Sequence, residues 1–241
     1  MRSMLKSGTE RGLMAWGCGK VMETSKKKIC RGGGAVWQRA AMVLLWALIT
    51  PVQGYCGTID SYVYKYRTVE LSPVQVRSIA NFDRLIVYFS SIAYHRTGYK
   101  VNPDFIRALM LAESNGNPNA VSPKNALGLC QLLYPTAKMA ASELAATGAN
   151  FRHVSLRRLN TLQPEDLHDP AVNILLSCYL VAKYNALYGG RLDLVVAAWN
   201  AGEGAIVGNR PPDYPETLDL IGKINGYFRA FLRERRGRFV G

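Results

Sequence analysis

From Phe105 to Ala112 the chain places apolar side chains on every side of a helix. Phe105, Ile106, Ala108, Leu109, Met110, Leu111 and Ala112 leave Arg107 as the only charged side chain in the run. A helix apolar all round cannot face water and has to be buried among other elements. Asn102-Pro103-Asp104 starts it, and Ser114-Asn115-Gly116-Asn117-Pro118 stops it. The remaining chain must therefore supply a jacket, and its patterns are helical. After Ser72-Pro73, the residues Ile79, Phe82, Ile86, Phe89 and Ala93 recur at 3, 4, 3, 4, predicting an amphipathic helix that ends near Gly98. Pro135-Thr136 opens a helix to about Ala146. Asp169-Pro170 caps a longer one to about Tyr188, Leu192 to Trp199 forms a short one, and Pro215 to about Arg233 forms the last. Residues 119–135 read as a loop or short hairpin and 147–168 as a polar connection. Convincing strands are nearly absent, so the expected class is mostly α.

Composition narrows the class further. Apolar residues are 49% and charged residues 20%, which excludes a disordered, collagen-like or coiled-coil chain. The formal charge of +13 does not indicate a nucleic-acid binder, because it is unevenly placed. Residues 1–54 hold nine basic and two acidic side chains, which leaves +6 for the rest. Lys26, Lys27 and Lys28, then Arg31 and Arg39, precede an uncharged apolar run from Ala40 to Val52. That run is too short to span a bilayer, which takes about 20 residues, and it fits the apolar core of a secretory signal peptide. Residues 1–54 are thus expected to be a leader cut after Gly54, with Met22 as an alternative true start and an uncleaved anchor as the competing reading. Tyr55 before Cys56 argues against lipidation. Residues 55–71 read as an irregular or weakly extended lead-in, 72–233 as the main folded domain, and 234–241 as a basic tail. Export implies a disulfide-permissive compartment. Of the cysteines outside the leader, Cys130 and Cys178 are readable either as a bridge or as two buried free thiols, and Cys56 is left over.

Glu113 is the residue most exposed to physical scrutiny. It is the only carboxylate after the apolar stretch and lies in the last turn of that helix. Burial and the negative end of the helix dipole both disfavour its charged form, and a raised pKa suits a general acid near neutrality. A Glu reaching solvent from a frayed end is the plain alternative.

From Asn102 the chain reads NPDFIRALMLAESNGNPNAVSPKNALGLCQLLYPTA. This resembles the soluble lytic transglycosylase family, whose pattern is an apolar helix ending in Glu-Ser, then N-P-x-A-x-S, then G-L-M-Q-x-M-P-x-T-A. Glu113-Ser114 carry the first part; Asn117, Pro118, Ala120, Ser122 and Ala126 the middle; Gly128, Leu129, Gln131, Thr136 and Ala137 the last. DPAVNILLSCYL is similar to the family's D-P-x-x-N-I-x-x-G-x-x-Y-L through Asp169, Pro170, Asn173, Ile174, Tyr179 and Leu180. AAWNAGEGAI is similar to A-A-Y-N-A-G-x-G-A-V through Ala197, Ala198, Asn200, Ala201, Gly202, Gly204 and Ala205. Pro215-Glu216-Thr217 with Lys223 resembles the closing P-E-T helix. The departures are Cys130 and Leu133 in place of the two Met residues, Tyr134 in place of the Pro, Trp199 in place of the Tyr, and Leu220 where a Tyr often stands.

The resemblance implies a goose-type lysozyme-like α fold, with a loop or hairpin after the catalytic helix. It implies cleavage of the β-1,4 bond between N-acetylmuramic acid and N-acetylglucosamine in peptidoglycan glycan strands, closing a 1,6-anhydro ring. Glu113 would be the catalytic residue, and Ser114, Ser122, Gln131, Tyr179, Trp199 and Asn200 would bind substrate. No cofactor is implied, and His95, His153 and His168 lie at no metal-ligand spacing. A lysozyme-type muramidase with Glu203 as the second acid, or a wall-binding assembly component without activity, are the alternatives. The implied place is the bacterial periplasm. The short chain resembles members that open the wall locally for secretion or conjugation machines, which would be partners. The arginines near the C-terminus are readable either as a solvated tail or as a contact with an anionic wall polymer, a membrane surface or a secretion-machine partner.

Overall fold

The computed structural model describes residues 57–95 and 100–239. The expected leader, its alternative start at Met22 and Cys56 lie outside the described residues. The chain begins with α1 (Gly57–Lys65), α2 (Pro73–Ala80), α3 (Asp83–Ser90) and α4 (Pro103–Ser114). A two-stranded antiparallel hairpin follows, β1 (Ala126–Leu127) with β2 (Leu132–Leu133), in the register Ala126↔Leu133 and Leu127↔Leu132. Then come α5 (Tyr134–Ala146), α6 (Leu156–Asn160), a 3-10 turn at Pro164–His168, α7 (Pro170–Leu187), α8 (Leu192–Ala201), a 3-10 turn at Glu203–Ala205 and α9 (Pro215–Phe239). The architecture is mostly α, with a short hairpin after the apolar helix.

Helix α4 is the centre, as its all-round apolar surface requires. Phe105, Ile106, Ala108, Leu109, Met110 and Leu111 are buried. The Asn102 side chain caps the start by accepting from Asp104 N at 2.9 Å. Helix α7 is its counterpart, buried on several faces through Val172, Ile174, Leu175, Leu176, Cys178 and Leu180. Asp169 caps it, accepting from Ala171 N at 2.7 Å. Cys130 and Cys178 are buried free thiols. Among the described residues no helix is long and apolar enough to cross a membrane.

The structure corrects four sequence expectations. First, residues 57–65 of the supposed irregular lead-in are helical. Their aromatic and β-branched residues look strand-like in isolation, but they dock on a groove of α9 made by Gly222 and Gly226. A Cβ at Gly222 would stand 2.5 Å from Tyr62 O, and one at Gly226 2.7 Å from Tyr66 O. Asp219 secures the pair, accepting from Lys65 Nζ at 2.7 Å and Tyr66 OH at 3.0 Å. Gly222→Ala should therefore push α1 off its seat. We expect a loss of about 1–3 kcal/mol, the usual scale of overpacking, read as a lower urea midpoint; an unchanged midpoint would contradict this docking.

Second, the single helix from Pro73 to Gly98 is two helices. It stops at Ala80 and restarts at Asp83, with Phe82 at φ −103°, ψ 0°. Asn81 and Asp83 compete poorly for helix interiors and favour ends, and the break still leaves Ile79, Ile86 and Phe89 buried. Third, the polar connection 147–168 contains α6 and a 3-10 turn. Ser155 caps α6, and Arg158 donates to Asp166 at 2.9 Å and to Asp169 at 2.5 Å. Fourth, the basic tail continues α9 as far as Phe239. Just before it, Ala230 and Phe231 are buried and Phe228 packs edge-on against Phe105, so the helix enters the tail from a packed turn. Arg235 pairs with Asp104, and Arg233 donates to Val69 O at 2.5 Å.

Candidate active site

Helix α4 delivers Glu113 half-buried to the point where three other elements meet it. From α8, Trp199 Nε1 donates to Glu113 Oε1 at 2.9 Å. From α9, Lys223 Nζ donates to Ala112 O at 2.6 Å, and both Lys223 and Glu216 act on the Glu113 carboxyl through charge. The segment between the strands brings the Cys130 thiol. Burial dominates and pushes Glu113 up to about 7 from the usual 4.5; Glu216 pushes the same way, while the Trp199 N–H and Lys223 pull back. Phe105, Leu109, Val181, Val195 and Val196 line a narrow apolar gap with Trp199, which keeps that side of the indole dry.

The wall beside Glu113 is a loop locked by its backbone groups. Gly128 has φ +75°, and a Cβ there would stand 2.1 Å from Leu167 O and 2.5 Å from Asn173 Nδ2, so only glycine fits. Asn173, fully buried, accepts from Cys130 N at 3.0 Å and donates to Leu127 O at 3.0 Å and Leu167 O at 2.8 Å. Gln131 holds left-handed backbone at φ 52°, a cost of about 1–3 kcal/mol that its surroundings must offset. Its amide does so in part by donating to Gly128 O at 2.9 Å and Ala120 O at 3.2 Å.

The expected substrate-binding residues divide accordingly. Trp199 contacts Glu113 directly. Asn200 follows it on α8, and its Oδ1 accepts from Thr217 Oγ1 at 2.6 Å, which orients the amide beside Glu216. Gln131 lies in the locked loop. Ser114 spends its hydroxyl on Leu129 O at 2.7 Å, tying α4 to that loop. Ser122 accepts from Ala126 N at 2.9 Å and closes the turn before β1. Tyr179 is not brought to Glu113 by any of its contacts. It donates to Glu143 Oε2 at 2.6 Å and packs against Tyr94 and His95, while Lys183 binds the same carboxylate at 2.9 Å. The reason is spacing. The D-P-x-x-N-I-x-x-G-x-x-Y-L pattern puts its Tyr at the position of Leu180, and a one-residue offset on a helix turns the side chain by about 100°.

Sequence reasoning missed three residues here. Glu216, paired with Lys124 at 2.9 Å, is the carboxylate whose charge reaches Glu113, whereas Glu203 acts on Tyr184 and Tyr188. Thr217 and Lys223 were visible only as letters of a motif. Trp199 lacks the hydroxyl of the Tyr in the family pattern, and its indole N–H supplies a donor of its own. Among the described residues no group of three or more His, Cys, Asp or Glu side chains is arranged to hold a metal.

The transglycosylase SLT domain model matches residues 90–211, a stretch that contains Glu113, the locked loop, α7 and α8. The chain belongs to this family. Among solved structures, this SLT-domain chain is similar to the 70 kDa soluble lytic transglycosylase of Escherichia coli. The identity is 18% over 80% of this chain and 35% of that one, with a TM-score of 0.47. It is also similar to an inactive mutant of the lytic transglycosylase Slt of Pseudomonas aeruginosa. There the identity is 19%, the coverage 82% and 30%, and the TM-score 0.45. The chain thus spans about a third of the length of these two proteins.

Proposed function

We propose that this SLT-domain protein is a peptidoglycan lytic transglycosylase with Glu113 as its single acid and base. The observation that carries the reading is a half-buried carboxyl held near neutrality, with one oxygen bound by Trp199. A group balanced there gives and takes a proton with little driving force lost in either direction. Glu113 gives its proton to the glycosidic oxygen, and the bond from that oxygen to C1 of the muramic sugar breaks. The carboxylate then takes the proton of the C6 hydroxyl as that oxygen bonds to C1. No water enters, and Glu113 ends protonated as it began. Gln131, Trp199 and Asn200 contact the glycan, while Ser114 and Ser122 hold the backbone that presents it. The enzyme is read as exported to the periplasm, where it opens peptidoglycan locally for a secretion or conjugation apparatus.

A hydrolase would need a second carboxylate to activate water or trap the sugar. Glu216 is salt-bridged to Lys124, and Glu203 lies with Tyr184 and Tyr188. Mass spectrometry of unreduced peptidoglycan digests separates the two reactions. We expect anhydro ends, about 18 mass units lighter than reducing ends because ring closure replaces hydrolysis, and near-normal activity for Glu203→Ala. Reducing ends that disappear in Glu203→Ala or Glu216→Ala would make the protein a muramidase.

A further inference from the structure

Glu113 stands at the negative pole of α4, where the last carbonyls have no partner within the helix. Lys223 reaches that pole from α9, a helix beyond the matched family segment. Its Nζ donates to Ala112 O, the carbonyl just before Glu113, at 2.6 Å. The lysine is fixed from behind, because the adjacent Gly222 and nearby Gly226 seat α9 against α1.

The groups that act on the Glu113 carboxyl can be named element by element. Helix α9 offers Lys223 and Glu216 and α8 the neutral Trp199 N–H, while the Cys130 thiol after β1 is itself pushed up by burial and by the Glu113 charge. Glu216 already has Lys124 as its cation. Lys223 rests on a carbonyl, so no ion pair among the described residues cancels its charge. Burial, the helix pole and Glu216 favour a permanently neutral acid, and the neutral Trp199 N–H and the Lys223 charge oppose them.

We propose that Lys223 is a positioning residue for Glu113, fixing the last turn of α4 through Ala112 O and supplying the positive charge that lets the carboxyl exchange its proton. The inference rests on Glu113 being the acid and base. Without the ammonium the carboxyl is a weaker donor to the leaving oxygen, and it stays protonated to higher pH.

Three variants test this. K223Q removes the charge and keeps an amide donor, K223M removes both, and K223R keeps both. Two readouts are taken across pH. One is kcat/KM on isolated peptidoglycan. The other is the 13C shift of the Glu113 carboxyl, assigned by its absence in E113Q. In K223Q we expect the alkaline limb and the carboxyl midpoint to rise together by about one pH unit, the lower end of the effect of a neighbouring opposite charge. K223R should keep both near the wild-type positions. K223M supplies the same midpoint should K223Q not fold. A carboxyl midpoint that stays in place without the charge overturns the proposal, as does a slower enzyme with an unmoved limb and midpoint, the signature of a merely structural lysine. A moved midpoint with an unmoved limb would uphold Lys223 and instead sink the reading of Glu113 as the acid.

Discussion

Glu113→Gln should lower turnover at least about 100-fold, the ordinary contribution of a positioned general acid, and leave the fold intact. The amide matches the carboxyl in shape, still accepts from Trp199 Nε1, and is easier to bury than a charge. The same substitution carries a stability signature. The folded protein holds the Glu113 proton more tightly than the unfolded chain, at about 7 against 4.5. Its contribution is therefore fully present below about pH 4.5 and is lost as pH climbs through about 7. The shift corresponds to about 3 kcal/mol. Denaturant titrations should find the wild type and E113Q alike near pH 4 and E113Q the more stable at pH 8. Catalysis should show the matching sign, with wild-type activity declining as pH rises past neutrality. Near-normal turnover in E113Q would falsify the mechanism; a pH-independent stability difference would show that the carboxyl is not buried as described.

Asn173→Ala should be among the most destabilising single changes in the chain, at about 3–5 kcal/mol. The side chain holds three backbone groups, Cys130 N, Leu127 O and Leu167 O, in a fully buried setting. Each such group left unpaired costs about 1–3 kcal/mol, and some relaxation of the loop tempers the sum. Asn173→Asp separates this from simple loss of volume. The carboxylate fills the same space and still accepts from Cys130 N, but it turns an acceptor toward two carbonyls. Urea midpoints of both variants should fall well below wild type. An Asn173→Asp protein as stable as wild type would mean that the two carbonyls find water or other donors, and that the loop is not held from α7.

Much of the frame was legible because its signals are local. Asn102-Pro103, Asp169-Pro170 and Ser72-Pro73 mark helix starts through capping chemistry that needs no partner, and all three stand at the ends of α4, α7 and α2. Glu113 was conspicuous because one carboxylate after an apolar run has few ordinary explanations. What could not be read depends on distant partners. Helix α1 forms against two glycines more than 150 residues away, and nothing in Tyr62 or Tyr66 announces them. Trp199 could be seen to lack a hydroxyl, but not that its N–H points at the carboxyl. Tyr179 was placed by a motif misaligned by one position, an error that helix geometry magnifies into a different neighbourhood. Lys223 and Thr217 touch the site only because α9 folds back on α4 and α8.

That fold-back has a kinetic face. The first and last described helices clasp each other, with Lys65 and Tyr66 bonded to Asp219 across separations of 154 and 153 residues. Contacts so far apart cannot form until the loop between them is closed, which delays them relative to local helices. Helices α4, α5 and α7 can begin to associate while the chain is still emerging. The surroundings of Glu113 cannot be completed then, because Lys223, Glu216 and Thr217 are made after all three of these helices. Assembly of the site is thus coupled to synthesis of α9. A polypeptide ending before α9 would carry the Glu113 side chain without the charges that tune it.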